Sequence, residues 1–148
     1  MSSYRQILYH IIFSTKNRKK TLNISKKEIL LKYIYGISKN LNSMIYEANL
    51  MEDHIHILSS LHATICLSDY VKTIKTSTNK FIKENKIFPY FSNWQIGYGA
   101  FTVSWKERNK LVKYIRNQQK HHNTIDFAKE YKMFLKKYGI EYDDKYLY

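Results

Sequence analysis

The chain changes rhythm along its length, and each change marks an element. Residues 4–14, from Tyr4 through Ile7, Leu8, Tyr9, His10, Ile11, Ile12 and Phe13 to Ser14, are nearly continuous in hydrophobicity and rich in β-branched and aromatic side chains. That composition predicts a buried central strand. Ile29, Leu30, Tyr33, Ile34 and Ile37 then recur at helical spacing, which predicts an amphipathic helix over 26–40, with Ser25 and Glu28 as its capping box. Residues 43–50 suit a second strand, Met51-Glu52-Asp53 a tight connection, and 54–61 a third strand. Val71, Ile74, Thr78, Phe81 and Ile82 form the inner stripe of a helix from Leu67 to Asn85, with Ser68 as its cap and Lys72, Lys75, Lys80 and Lys83 on its outer face. Residues 97–104 read as a fourth strand, where Gly97 and Gly99 allow close backbone approach or a bulge. Ser104 and Glu107 open a further helix that runs to His122. A last helix spans Asp126 to Tyr138 and stops at Gly139, a suitable C′ residue.

The order strand, helix, strand, strand, helix, strand predicts an α+β fold of ferredoxin-like (RRM-like) βαββαβ topology. It has an antiparallel sheet with helices on one face, the first and third strands central, and extra helices at the C-terminal end. A length of 148 residues suits one domain, 1–148, with a real core. Hydrophobic residues at 44% and aromatics at 16% exclude a disordered chain, and one Pro with four Gly leaves little for long linkers.

Charge narrows the partners. Twenty-five Lys and Arg against 12 Asp and Glu give +13, which favours a polyanion such as nucleic acid, although abundant Lys, Asn, Ile and Tyr also fit a merely AT-rich coding bias. Cys66 is the single cysteine, so no disulfide within the chain and no Cys-based zinc knuckle can form. No apolar run approaches a membrane span and the first residues carry no hydrophobic signal core, so no membrane association and a cytoplasmic location are expected.

The chemistry gathers in two places. Side chains alternate faces along a strand, so His54 and His56 point one way while Ile55 and Ile57 point the other. Such a pair is either a half-exposed sheet edge or two imidazole ligands for a divalent metal. Far along the chain, Tyr114 and Gln118 are four apart and share a helical face. Gln118 offers a carbonyl oxygen as a third ligand and Tyr114 a hydroxyl, against the plainer reading of a packed tyrosine and a solvated glutamine. His10 reads as a histidine of the sheet face, not a ligand. Phe88, Tyr90, Phe91 and Trp94 are either bases' stacking partners or core packing, and the basic stretch 15–24 a solvated loop or a phosphate contact.

His54-Ile55-His56 resembles the histidine–hydrophobic–histidine motif of the HUH nucleases. The run from Trp94 to Ser104, with Tyr114-Ile115-Arg116-Asn117-Gln118, His121-His122, Glu130-Tyr131 and Tyr138-Gly139-Ile140, resembles the IS200/IS605-family single-tyrosine transposases across nearly the whole chain. The resemblance implies that His54, His56 and Gln118 bind Mg²⁺ or Mn²⁺ and that Tyr114, on a C-terminal helix, is the nucleophile. It implies cleavage and rejoining of single-stranded DNA at insertion-sequence ends through a 5′-phosphotyrosine, recognition of hairpins in single-stranded DNA, and a homodimer in which one protomer's tyrosine helix completes the other's histidine site. The motif gives no role to Asp53, His121 or His122. An HIT-type hydrolase would need a third histidine where Leu58 stands. A domesticated nicking endonuclease or a non-catalytic ferredoxin-like nucleic-acid binder remain as alternatives.

Overall fold

A computed structural model describes residues 2–119 and 125–146 of the chain. Strands β1 (Leu8–Ser14), β2 (Met44–Leu50), β3 (His54–Ser60) and β4 (Gly99–Val103) form one antiparallel sheet in the order β2-β3-β1-β4, with the first and third strands central. Helices α1 (Lys27–Asn40) and α2 (Leu67–Asn85) are the two crossovers. Helices α3 (Arg108–Arg116) and α4 (Phe127–Lys137) follow the sheet. Among the described residues no helix is long and apolar enough to cross a membrane.

Period-two alternation decides which face each helix covers. Ile11, Phe13, Ile55 and Ile57 point to one side and pack with Leu30, Leu31 and Ile34 of α1 and Tyr70, Val71, Ile74 and Ile82 of α2. Leu8, Ile12, Leu58 and Phe101 point to the other, where Ile115 of α3 and Phe127, Phe134 and Leu135 of α4 meet them. The crossover helices thus lie on one face, as the pattern predicts, and the C-terminal helices close the opposite one. The register pairs Ile12 with His56, Ser14 with His54 and His10 with Leu58, so all three histidines share the α3/α4 face.

Several local expectations shift. The first strand begins at Leu8, not Tyr4. Its outermost pair is Leu8 with Val103, and beyond it Tyr4 (94% exposed) and Ile7 (52%) have no neighbouring strand to cover them. Ser25 is not the cap of α1: the Asn23 side chain instead accepts from the Ser25 amide and starts a short 3₁₀ turn before the helix. Ser68 does not cap α2, which follows Cys66 with no side-chain cap. Lys75 is not on the outer face. Its ammonium donates to the carbonyls of Gln95 (2.8 Å) and Gly97 and sits 5.4 Å from the Phe13 ring centre; burial lowers its pKa to about 8. Phe88, Phe91 and Trp94 are buried, with the Trp94 indole donating to Thr78, while Tyr90 stays exposed. Ser104 does cap, accepting from the Glu107 amide. The helix it precedes ends at Arg116. Gln118 and Gln119 are helical again after Asn117, and residues 120–124, with His121 and His122, lie outside the described residues. Gly139 follows α4 at φ +66°, with Gly139 donating to Lys136 O and Ile140 to Leu135 O, the two bonds of a Schellman stop.

Candidate active site

The histidine pair is not an exposed edge. His54 and His56 are fully buried, held by β3 in the middle of the sheet and roofed by α4. His54 stacks on Phe127 at 4.3 Å between ring centres. Both Nε2 atoms converge on a single atom, Oε1 of Glu130, at 3.2 Å from His54 and 2.9 Å from His56.

Glu130 is fully buried and stands at the centre of the site. Its second oxygen, Oε2, accepts the Tyr114 hydroxyl and the Gln118 side-chain N–H at 3.2 Å. One carboxylate therefore joins all four residues that sequence reasoning singled out, bringing the strand pair and the late helix together within one chain. Sequence reasoning did not assign Glu130 a role. The signal was there: Phe127, Glu130 and Phe134 fall at i, i+3 and i+7, so an acid occupies the inward stripe of an amphipathic helix. α4 is itself set by Asp126, whose side chain accepts from the Lys129 amide as N-cap. Tyr131 lies against the backbone of Gly99 on β4 and stacks on Phe127 at 5.4 Å, so the absence of a side chain at 99 permits the docking of α4.

Each histidine is gripped from behind. Nδ1 of His54 donates to Oδ1 of Asp53 at 2.7 Å, and Nδ1 of His56 lies 2.8 Å from Nε2 of the fully buried His10. Burial alone would strip His54 of its proton, but the bonds to Asp53 and Glu130 outweigh it and raise its pKa. Burial, reinforced by His56, holds His10 well below the usual histidine value. Tyr114 is half-buried and its pKa is raised, first by desolvation and then by the Glu130 charge, so its phenol is protonated in this arrangement.

The tyrosine helix is fixed to the sheet near its end. Asn49 of β2 is buried, and its amide donates to the carbonyls of Ile115 (2.9 Å) and Arg116 (3.4 Å), while its oxygen accepts from Lys27 Nζ and from the Leu50 amide. A cavity of about 200 Å³ opens beside Tyr114, lined by Lys110, Leu111, Phe134, Lys137 and Tyr138 among others.

The donor set suits a divalent cation. Ligand atoms of His54, His56 and Glu130 all lie within 4.8 Å of one another. The carbonyl oxygen of Gln118 is buried with no hydrogen-bond partner among the described residues. Two imidazole nitrogens with carboxylate and amide oxygens form a mixed nitrogen–oxygen set of the kind that binds divalent cations. A buried acceptor left without a donor is a position that a cation would satisfy.

The four-stranded antiparallel sheet, with an imidazole pair on a central strand facing a helix-borne tyrosine, fits the class that the sequence resembles, and similarity to known proteins places the chain in it: the single-tyrosine transposases of the HUH superfamily. More particularly, residues 3–118 match the profile of the IS200-like transposases, and the chain belongs to that family. The transposase for insertion sequence element IS200 from Salmonella typhimurium is 27% identical over 115 residues, spanning 74% of this chain and 75% of that protein. The ISDra2 transposase TnpA of Deinococcus radiodurans is 25% identical over 120 residues, spanning 76% of this chain and 84% of that one. Two solved structures share the fold. A putative transposase from Deinococcus radiodurans superimposes with a TM-score of 0.61 at 23% identity, covering 80% of this chain and 95% of its own. A REP-associated tyrosine transposase bound to a REP hairpin gives 0.63 at 18% identity, covering 84% and 76%. Glu130 lies beyond the matched segment, which ends at Gln118.

Proposed function

We propose that this IS200-type transposase cuts and rejoins single-stranded DNA at the ends of an insertion sequence through a 5′-phosphotyrosine at Tyr114, and that the 148 residues act as one catalytic domain. His54, His56 and Gln118 would hold Mg²⁺ or Mn²⁺, with the Glu130 carboxylate completing the donor set. The observation that carries this reading is the meeting of Tyr114, Gln118, His54 and His56 on that one carboxylate.

When bound, the ion supplies positive charge against the scissile phosphate, which otherwise repels a nucleophile. The protein's own groups do the rest. Tyr114 Oη forms the bond to phosphorus, the bond from phosphorus to the 3′ oxygen breaks, and the departing 3′ oxygen takes a proton from solvent to become a hydroxyl. Oε2 of Glu130 already accepts the phenolic hydrogen and is the group in place to take that proton. Lys110 and Lys137 flank the cavity beside Tyr114, where an ammonium can meet the backbone of an incoming strand. The covalent linkage retains the phosphodiester's energy, so a second 3′-hydroxyl can displace Tyr114 and reseal the strand without ATP.

A hairpin in single-stranded DNA is the proposed ligand. The structural relative solved with a REP hairpin and the +13 charge support it. A homodimer is part of the proposal. The meeting of all four groups inside one chain favours attack in cis: a mixture of Tyr114→Phe and His56→Ala proteins should not regain cleavage, and recovery would place the tyrosine across the protomers. The deciding experiment incubates labelled single-stranded hairpin DNA with the protein and Mg²⁺ or Mn²⁺ and looks for an SDS-resistant adduct. Tyr114→Phe should abolish it, and His56→Ala should lose cleavage far more than DNA binding. An adduct that survives Tyr114→Phe rejects the nucleophile.

A further inference from the structure

We infer that His10 is a positioning residue that sets which nitrogen of His56 is free to bind the metal. This inference rests on the proposal above that His56 is a ligand.

The geometry is a short chain of rings. His10 Nε2 lies 2.8 Å from His56 Nδ1, and His56 Nε2 lies 2.9 Å from Glu130 Oε1. Only one hydrogen can sit between the two imidazoles, so the tautomers of the two rings are coupled. With Glu130 accepting from His56 Nε2, a neutral His56 carries its hydrogen there, and Nδ1 must accept from His10 Nε2. To present a lone pair at Nε2 to a cation, His56 has to move its hydrogen to Nδ1, and that hydrogen needs an acceptor. His10 Nε2 becomes that acceptor when the shared hydrogen passes to His56 Nδ1, the cation displaces the hydrogen of His56 Nε2 to solvent, and His10 takes one from solvent at Nδ1, leaving both rings neutral. The same atom therefore serves both states, as donor when the carboxylate occupies His56 and as acceptor when a cation does.

Three features hold His10 to this task. It is fully buried, so water does not compete for the bond. Its ring is stacked with His56 at 5.0 Å and 23°, and its edge meets Phe134 at 4.9 Å and 81°, which fixes the plane. Its Nδ1 is buried without a hydrogen-bond partner among the described residues, so no third group biases the ring toward one tautomer. His54 receives a different support: Asp53 can only accept, which commits that ring to Nδ1–H in either state.

The test uses the full chain without DNA. Mn²⁺ alone is titrated and free ion counted by electron paramagnetic resonance. His10→Leu, which keeps bulk but has no acceptor, should weaken Mn²⁺ binding by about 10–100-fold, the usual effect of losing a partner behind a ligand. His10→Gln, whose carbonyl can reach the place of Nε2, should recover most of it. Equal affinity in wild type and His10→Leu overturns the inference while leaving the metal site intact; no binding by wild type overturns the metal site and the inference with it. A second measurement needs no variant and so does not depend on its folding. Histidine ring ¹⁵N spectra of wild type with added Mg²⁺ should show His56 moving from Nε2–H to Nδ1–H and His10 moving from Nε2–H to Nδ1–H. A His10 tautomer that does not change on Mg²⁺ binding rejects the coupling.

Discussion

On the sheet face under α1 and α2, Ile11, Phe13, Ile55 and Ile57 meet an unbroken apolar layer, and its deepest hydroxyls are satisfied. Tyr70 OH bonds both Ser38 and Ser59 at 2.7 Å, and Thr78 bonds Ile74 O and the Trp94 indole. On the opposite face three histidines, a glutamate and a glutamine are buried among Phe101, Phe127 and Phe134, and two of their polar atoms, His10 Nδ1 and Gln118 Oε1, have no hydrogen-bond partner among the described residues. The strands are the same; alternate residues serve different ends. One face gains stability from apolar burial, the other holds desolvated polar groups that a ligand would complete.

Breaking the two faces should have opposite signatures. Ile57→Ala opens a cavity under α1 and α2 and should destabilise the fold by about 2–5 kcal/mol in urea unfolding, with Mn²⁺ affinity at the proposed metal site largely kept. The site face should instead respond to ligand. Mn²⁺ at 100 times its Kd should add about 2.7 kcal/mol of stability, an increment that His54→Ala removes and a chelator reverses. If thermal unfolding is indifferent to Mn²⁺, the contrast between the faces fails.

A steric change sharpens the comparison further. A Cβ at residue 99 would come within 2.6 Å of Tyr131 Cε1, so Gly99→Ala should cost about 1–3 kcal/mol and loosen the Tyr131–Phe127–His54 stack. The double change with Tyr131→Leu should regain much of that loss. The smallest effect expected is a pH slope. The folded state raises the His54 pKa above its ordinary 6.5, so its contribution is complete below pH 6.5 and is lost as pH rises through the folded value. Metal-free protein should thus lose stability as pH climbs above 6.5. Asp53→Asn should flatten that slope, and a slope unchanged in this variant would remove Asp53 as its cause.

What the sequence disclosed follows from what is local. The bounds of α2, the tight Met51–Asp53 connection and the Ser104 and Gly139 signals rest on neighbours within a few residues, and these were legible. The shared face of His54 and His56 needs only the strand's period of two. Caps were less secure: Ser25 and Ser68 are competent by type, but the path of the chain gives the Ser25 amide to Asn23 and starts α2 after Cys66 with no side-chain cap. The helical stripe of Phe127, Glu130 and Phe134 marks Glu130 as an inward-facing acid, but not its partner, because His56 is 74 positions away and no local rule connects them. The start of β1 departs from the pattern for a related reason: hydrophobicity continues to Tyr4, but the neighbouring strand stops at the level of Leu8.

Asn49 gives position 49 leverage over chemistry it never touches. Its amide grips the carbonyl of Ile115, the residue directly after Tyr114, the nucleophile proposed above, so a substitution there loosens the backbone that carries that phenol. On the proposed reading, variation at an inconspicuous strand residue would retune the aim of Tyr114 while the side chains of the candidate site stay the same.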